Sequence, residues 1–280
     1  MNWDDLRIIA AIREKGTFAD ASKELRIDET TVARRLARIQ NDLGIPLFEA
    51  IDGTRKPTPH CDAVLAHIDE ISRQVVQIDA IGKHVDGPTG NIRVASTHSI
   101  AEDFLAPHLA EFLGANPGLS LELKTSNENV NFSKWEADLA IRLGKPAKGT
   151  FLIQKLAEVR LYLIAPVETK DQRSDCIVCA YPKELDDTPE MHQIEIADLT
   201  DRIRLRTGNP LIIRSVIQTQ KGIGILPEYL AGDFIDNPLF HSTLLKAHRE
   251  VWLLIQPHLQ NDPAARLAID WIKSRLEKPF

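Results

Sequence analysis

The sequence predicts an α/β protein in three parts: a winged helix-turn-helix over residues 1–59, a linker helix over 60–89, and a two-lobed domain over 90–280. Three observations carry this. Two short helical patterns joined by a tight turn precede a hairpin pattern. An apolar heptad seam then runs along a single long helix. From Gly90 onward, strand-like runs alternate with helical ones, the pattern of parallel sheets of the doubly wound kind.

In the first part, WDDLRIIAAIRE (3–14) places Trp3, Leu6, Ile9, Ala10 and Ile12 near helical spacing. Gly16-Thr17 interrupts it, and the Thr17 hydroxyl suits the N-cap of a second helix, Phe18 to Leu25. After the turn Arg26-Ile27, a third helix runs from Glu29 to Leu43, capped by Asp28 and stopped by Gly44. Its apolar residues Val32, Leu36, Ile39 and Leu43 form one stripe, which turns Arg34, Arg35 and Arg38 outward. Asp28 and Glu29 lie at the helix start, where the macrodipole favours negative charge. PLFEAIDGTRKPT (46–58) reads as a hairpin turning at Asp52-Gly53, a wing that carries Arg55 and Lys56. Bulk charge gives no help to a DNA-binding reading. Residues 1–59 hold ten Lys and Arg against ten Asp and Glu, and the whole chain carries −6.

The linker helix is predicted from Pro59 through Lys83, with a seam of Val64, Ile68, Ile71, Val75 and Ile78 at spacings of four and three. A lone helix with one apolar seam needs a partner, and a second copy of itself is the simplest. Gly87-Pro88-Thr89-Gly90 ends it. Strands are expected at NIRVAST, LSLELKT, ADLAIRLG, LYLIAP, DCIVCAYP, RIRLRTG, GIGILP and VWLLIQP, with a helix from Glu102 to Leu113. Crossings near Leu161–Pro166 and Val251–Pro257 divide the domain into lobe I (90–162 and 256–280) and lobe II (163–255). Ligands bind beyond the carboxyl ends of parallel strands. That rule selects Ser96, Thr97, His98, Ser99, Ser126, Asn127, Thr207, Gly208 and Asn209, with Arg142 and Arg206 as charge partners. Hydroxyls, amides and backbone N–H groups at helix starts suit a small carboxylate. Simple N-capping by Ser99 and Asn209 is the competing account.

Catalytic and metal signatures are missing. Neither GxSxG nor HExxH occurs, nor a phosphate-cradling loop, and no cofactor is implied. Gly222-Ile223-Gly224 reads as a turn, and Asp186-Asp187 as a solvated loop pair. Cys176 and Cys179 form a CxxC without a second metal pair, so all three cysteines, with Cys61, read as core thiols of a reducing compartment. The acidic start MNWDDLRII is unlike a signal peptide, and no apolar run reaches membrane-spanning length. A cytoplasmic protein is expected.

On these residues the chain resembles the LysR-type transcriptional regulators along essentially its whole length. The match lies in GTFADASKEL-x-I-x-x-TTVARRLARI-x-x-x-LGIPLF, then FLAPHLAEFLGANPGLSLEL, EADLAIRLG and KGIGILPEYLA, in the family's order. The resemblance implies a winged helix, a dimerising linker helix and a periplasmic-binding-protein-like effector domain, with no enzymatic activity. Implied partners are double-stranded DNA, a small-molecule effector, a homodimer or homotetramer, and RNA polymerase, but no membrane. It points Thr30, Thr31 and Arg34 at bases. Arg35 and Arg38 would go to phosphates or to acids on the same helix. Thr17, Arg55 and Lys56 would meet the DNA backbone. The chain departs from the family at Ala33 and Ala50, where two phosphate contacts would be lost, at Cys61 in place of a glycine, and in the short stretch 168–175. Two other readings stay open: a cytoplasmic solute-binding protein with a weakened DNA-binding head, and a redox sensor acting through Cys176 and Cys179.

Overall fold

The computed structural model describes residues 2–82, 87–126, 137–146, 151–167 and 176–276. It forms two compact units that meet in sequence at Gly90 and Asn91.

The first unit contains α1 (Trp3–Lys15), α2 (Phe18–Leu25), α3 (Glu29–Leu43), the wing strands β1 (Phe48–Ile51) and β2 (Thr54–Pro57), and α4 (Pro59–Gly82). Its core gathers Ile8, Ile9 and Ile12 of α1, Ala21 of α2, and Val32, Leu36 and Ile39 of α3. Caps fix the helix starts. Asn2 and Asp5 exchange reciprocal side-chain-to-backbone bonds of 3.0 Å, and Thr17 accepts from the Asp20 N–H at 3.1 Å. Asp28 departs from expectation. Its carbonyl receives the Thr31 and Val32 N–H groups, but its carboxylate makes no capping bond. At this exposed helix start water competes for the same donors. Asp52 (φ 50°) and Gly53 (φ 78°) both take the left-handed conformation that a two-residue hairpin turn requires. Thr58 ties the wing to α4, donating to the Pro46 carbonyl at 2.8 Å and accepting from the Cys61 N–H at 3.2 Å.

The α4 seam divides. Cys61, Leu65 and Ile68 are buried in this unit's own core and Val64 packs against it, whereas Ile71, Val75 and Ile78 are 39%, 43% and 67% exposed. Val64 and Ile68 are therefore spent within the unit, and the uncovered part of the seam begins at Ile71.

The second unit comprises β3 (Gly90–Ser96), then α5 (His98–Ile100), which passes through a wide turn at Ala101–Leu105 into α6 (Ala106–Ala115). It continues with β4 (Leu119–Thr125), β5 (Leu139–Leu143), β6 (Leu152–Pro166), β7 (Ile177–Ala180), α7 (Pro189–Ile196) and β8 (Ile203–Arg206). Then come α8 (Pro210–Gln218), β9 (Gly222–Pro227), α9 (Glu228–Ala231), β10 (Phe240–Ile255) and α10 (Pro263–Leu276). The strand order is β4-β3-β5-β10-β6-β9-β7-β8. β3 and β5 are parallel, as are β7, β8 and β9, but β6 and β10 run antiparallel to each other and to the strands beside them.

This corrects the purely parallel expectation, and it also moves the lobe boundary. β6 gives Val159 to one core and Leu161 and Ile164 to the other; β10 gives Leu245 and Ala247 to the second and Val251 and Leu253 to the first. β10 therefore leaves lobe II between Ala247 and Val251, not at residue 255. The sequence hid this because FHSTLLKAHRE, the first part of a 16-residue strand, is mostly polar and has no fully buried residue.

The strand expected at GIGILP forms, and the competing reading of Gly222-Ile223-Gly224 as a turn falls. These three residues open β9, whose residues are all buried. A Cβ on Gly222 would stand 2.9 Å from the Val216 carbonyl carbon, and one on Gly224 would stand 2.7 Å from Ile213 Cγ2. Both glycines let α8 lie directly on the strand. Among the described residues no helix is long and apolar enough to cross a membrane. Residues 168–175 lie outside the described residues.

Gly222→Ala, whose added methyl meets backbone that cannot rotate away, is expected to destabilise the protein by about 1–3 kcal/mol, measured as a lower urea midpoint with unchanged slope.

Candidate nucleic-acid interface and effector cleft

On the first unit, burying Val32, Leu36 and Ile39 leaves Thr30 and Arg34 exposed at the front of α3, with Thr31 and Arg35 half-buried. Lys56 is exposed on the wing. The other predicted contacts are partly engaged. The Thr17 hydroxyl caps α2 and donates to Asp20 Oδ2 at 2.9 Å. The Arg55 guanidinium lies 4.3 Å from the centre of the Phe18 ring, and its backbone N–H donates to the Gly16 carbonyl at 2.7 Å. These two contacts dock the wing onto the turn between α1 and α2.

Arg38 has a different partner from the one expected. It bonds Asp5 on α1 at 2.5 Å, not an acid on its own helix. The Asp5 side chain is 1% exposed and also closes the α1 capping box, so one buried carboxylate joins the start of α1 to the middle of α3. Part of the arginine cluster is thus structural.

In the second unit the predicted strand-end residues lie at the carboxyl ends of β3, β4 and β8. Ser96 and Ser99 are buried, Thr97 is half-buried and His98 is exposed. The Ser99 hydroxyl does not cap a helix; it meets the Tyr229 hydroxyl at 2.9 Å. Ser126 donates its N–H to the Ser96 carbonyl at 3.0 Å, pairing the ends of β4 and β3. Arg142 is half-buried on β5 opposite Trp252, and burial lowers its pKa. Asn127 lies outside the described residues.

Three of the residues expected at lobe II have polar atoms engaged locally. Arg206 donates to the Tyr181 carbonyl at 2.7 Å and to Asp186 at 3.1 Å, so Asp186 is not simply solvated either. Asn209 caps α8 through Leu211 N–H at 3.0 Å, and Thr207 accepts from the Asn209 N–H at 3.1 Å. β8 is also the edge strand of the sheet, separated from β10 by three others.

Beside the Ser99–Tyr229 bond stands a polar cluster absent from the predicted set. Glu190 of α7 (3% exposed) accepts from Arg249 Nε of β10 at 3.0 Å. Tyr181 sits one residue beyond β7 and Tyr229 two beyond β9. Burial, and then the Glu190 charge, push the Tyr181 pKa well up. Burial raises Tyr229 as well, opposed by its bond to Ser99, and the charges of Glu190 and Arg249 reach its hydroxyl. Phe104 packs edge-on against Tyr229, with centroids 5.1 Å apart. At Gly144 (φ 96°) a Cβ would sit 3.3 Å from Arg249 Nη1, so glycine leaves the guanidinium its place. The strand-end rule could have found Tyr181 and Tyr229. Glu190 and Arg249 carried no such signal, since one is on a helix and the other within an antiparallel strand.

The cysteines are core groups. All three are free and buried, and burial pushes Cys61 up to about 12 and Cys179 up to about 11. Such thiols are poor nucleophiles and poor redox sensors. Among the described residues, Glu158, His248 and Glu250 have metal-ligand spacing, but the Lys155 ammonium already bridges the two carboxylates at 2.5 and 2.7 Å.

A winged helix-turn-helix with exposed cations, joined in sequence to a two-lobed domain with a polar cleft, is the build of a DNA-binding regulator with a sensing domain. Residues 3–62 match the family described as bacterial regulatory helix-turn-helix protein, lysR family, and residues 86–277 match the LysR substrate binding domain. The chain belongs to the LysR-type family of transcriptional regulators. It is similar to the Mau operon transcriptional activator of Paracoccus denitrificans, 40% identical over 97% of this chain and 95% of that protein. In fold it resembles full-length LysG of Corynebacterium glutamicum with bound effector Arg, with a TM-score of 0.71 at 17% identity over 99% of this chain and 98% of that one. A full-length OxyR variant from Pseudomonas aeruginosa gives 0.64 at 14% identity over 100% and 99%. The family consists of regulators, not enzymes, and membership does not favour the solute-binding or redox-sensor readings.

Arg38→Ala leaves the buried Asp5 carboxylate short of a donor and is expected to cost the first unit about 1–2 kcal/mol, read by thermal unfolding; Arg34→Ala should leave stability unchanged. Because the folded state raises the pKa of Cys61 and Cys179 above the ordinary 9.0, their contribution is fully present below pH 9 and is lost as pH rises toward 11–12. Unfolding free energy should therefore fall across that range, and fall less steeply in a Cys61→Ala/Cys179→Ala protein.

Proposed function

We propose that the chain regulates transcription from the cytoplasm, reading double-stranded DNA with α3 and the wing while the cleft senses a small carboxylate. The observation that carries the DNA reading is the front of α3, where Thr30 and Arg34 are exposed and engage no partner among the described residues. Arg34, Thr30 and Thr31 meet base edges; Arg35, Lys56 and the outer edge of the Arg55–Phe18 pair meet phosphates. Arg38 contributes mainly by holding α3 on α1. The identity and coverage of the Paracoccus relative support activation as the direction of control, which brings RNA polymerase in as a further partner. The exposed Ile71, Val75 and Ile78 join two copies through α4, and the carboxylate is received near Ser96, Thr97 and Ser99.

Fluorescence anisotropy on DNA from upstream of its own gene, titrated over salt, tests this. The expected result is selective binding whose logarithm falls linearly with log salt, weakened about tenfold or more by Arg34→Ala. Binding no tighter than to random DNA, unchanged in the variant, would overturn it. In sedimentation, Val75→Glu should shift the protein toward monomer, since a charge in the seam is left unpaired against its own copy.

A further inference from the structure

Buried polar side chains are almost always paired. Among the described residues the buried side-chain oxygens without a hydrogen-bond partner are Ser96 Oγ, Thr97 Oγ1, Thr188 Oγ1 and Glu190 Oε2. Ser96 ends β3 and Thr97 follows it in lobe I, three residues or fewer before Ser99, whose hydroxyl meets Tyr229; Thr188 is the N-cap residue of α7 and Glu190 lies in its first turn in lobe II, and the Glu190 charge reaches Tyr229. The two sets have complementary chemistry. Glu190 Oε2 accepts only, because Arg249 takes the other oxygen, and it calls for a donor, best a charged one. The hydroxyls of Ser96 and Thr97 can donate to an anion. The Glu190–Arg249 pair is already neutral, and a lone cation or a lone anion would bring an uncompensated charge beside the buried Tyr181.

We propose that the effector is a small zwitterion, an amino-bearing carboxylate whose ammonium meets Glu190 Oε2 and whose carboxylate meets the hydroxyls of Ser96 and Thr97. This rests on the reading of the cleft as a carboxylate-sensing site and adds the amine. Such a ligand adds no net charge, satisfies unpaired atoms on both lobes, and so favours one angle between them.

The test is calorimetric binding to the full chain of the standard amino acids, β-alanine and 4-aminobutyrate, beside propionate and butyrate without the amine and propylamine and butylamine without the acid. At least one zwitterion should bind about tenfold or more tightly than the matched acid and amine. Glu190→Gln should reduce that preference to about parity. Thr97→Val, which leaves the Glu190–Arg249 pair intact, should weaken the zwitterion about tenfold, and it decides the matter if Glu190→Gln fails to fold. Matched acids that bind as tightly as any zwitterion, indifferent to Glu190→Gln, would overturn the amine and leave the carboxylate reading standing. No binding across the whole panel would overturn both, while the anisotropy result on DNA would stand independently.

Discussion

The antiparallel ladder between β6 and β10 is the constraint on which the sensing unit depends. Its register runs from Phe240 opposite Pro166 to Ile255 opposite Leu152, the full length of both strands. Neither lobe has a complete sheet without its share of these strands, since Val159 and Val251 close one core and Leu161 and Ile164 help to close the other. Irregularities at Leu244/His248 and Val251/Trp252 bracket the passage from lobe to lobe. Arg249 sits inside that passage. Its place on the ladder allows a lobe II glutamate to be held from a strand that both lobes share.

The head solves a different problem with the same economy. By count its charges cancel, yet their placement separates them. Asp5 is buried under Arg38, Asp20 is held by Thr17 and Lys23, and Asp69 pairs with Arg13 at 3.5 Å. These three acids are engaged by cations or a hydroxyl, while Arg34 and Lys56 remain exposed. A net negative charge does not bar such exposed cations from meeting phosphates, because affinity for phosphate depends on local charge and not on the sum.

Local signals were the legible ones. Gly16-Thr17, Gly44 and Asp52-Gly53 punctuate the head where the sequence places them, and the 4-3-4 spacing of Val32, Leu36, Ile39 and Leu43 fixes which side of α3 is buried. Long-range pairings were not legible: Arg38 and Asp5 lie 33 residues apart, and Arg249 and Glu190 lie 59 apart, with nothing in either neighbourhood to announce the other. The exposed start of β10 lacks the apolar alternation that marks a half-buried strand. The glycines of β9 looked like a turn because their purpose, the close approach of α8, is a property of packing and not of the strand itself.

The most direct measurement is a nuclease footprint of the full-length protein on the DNA upstream of its own gene. Two heads joined through α4 should protect paired half-sites whose centres lie about 34 Å, or a multiple of it, apart on one face of the duplex, and a Val75→Glu protein should lose the pairing. A single unrepeated patch that survives Val75→Glu, or no protection at all, would contradict the account.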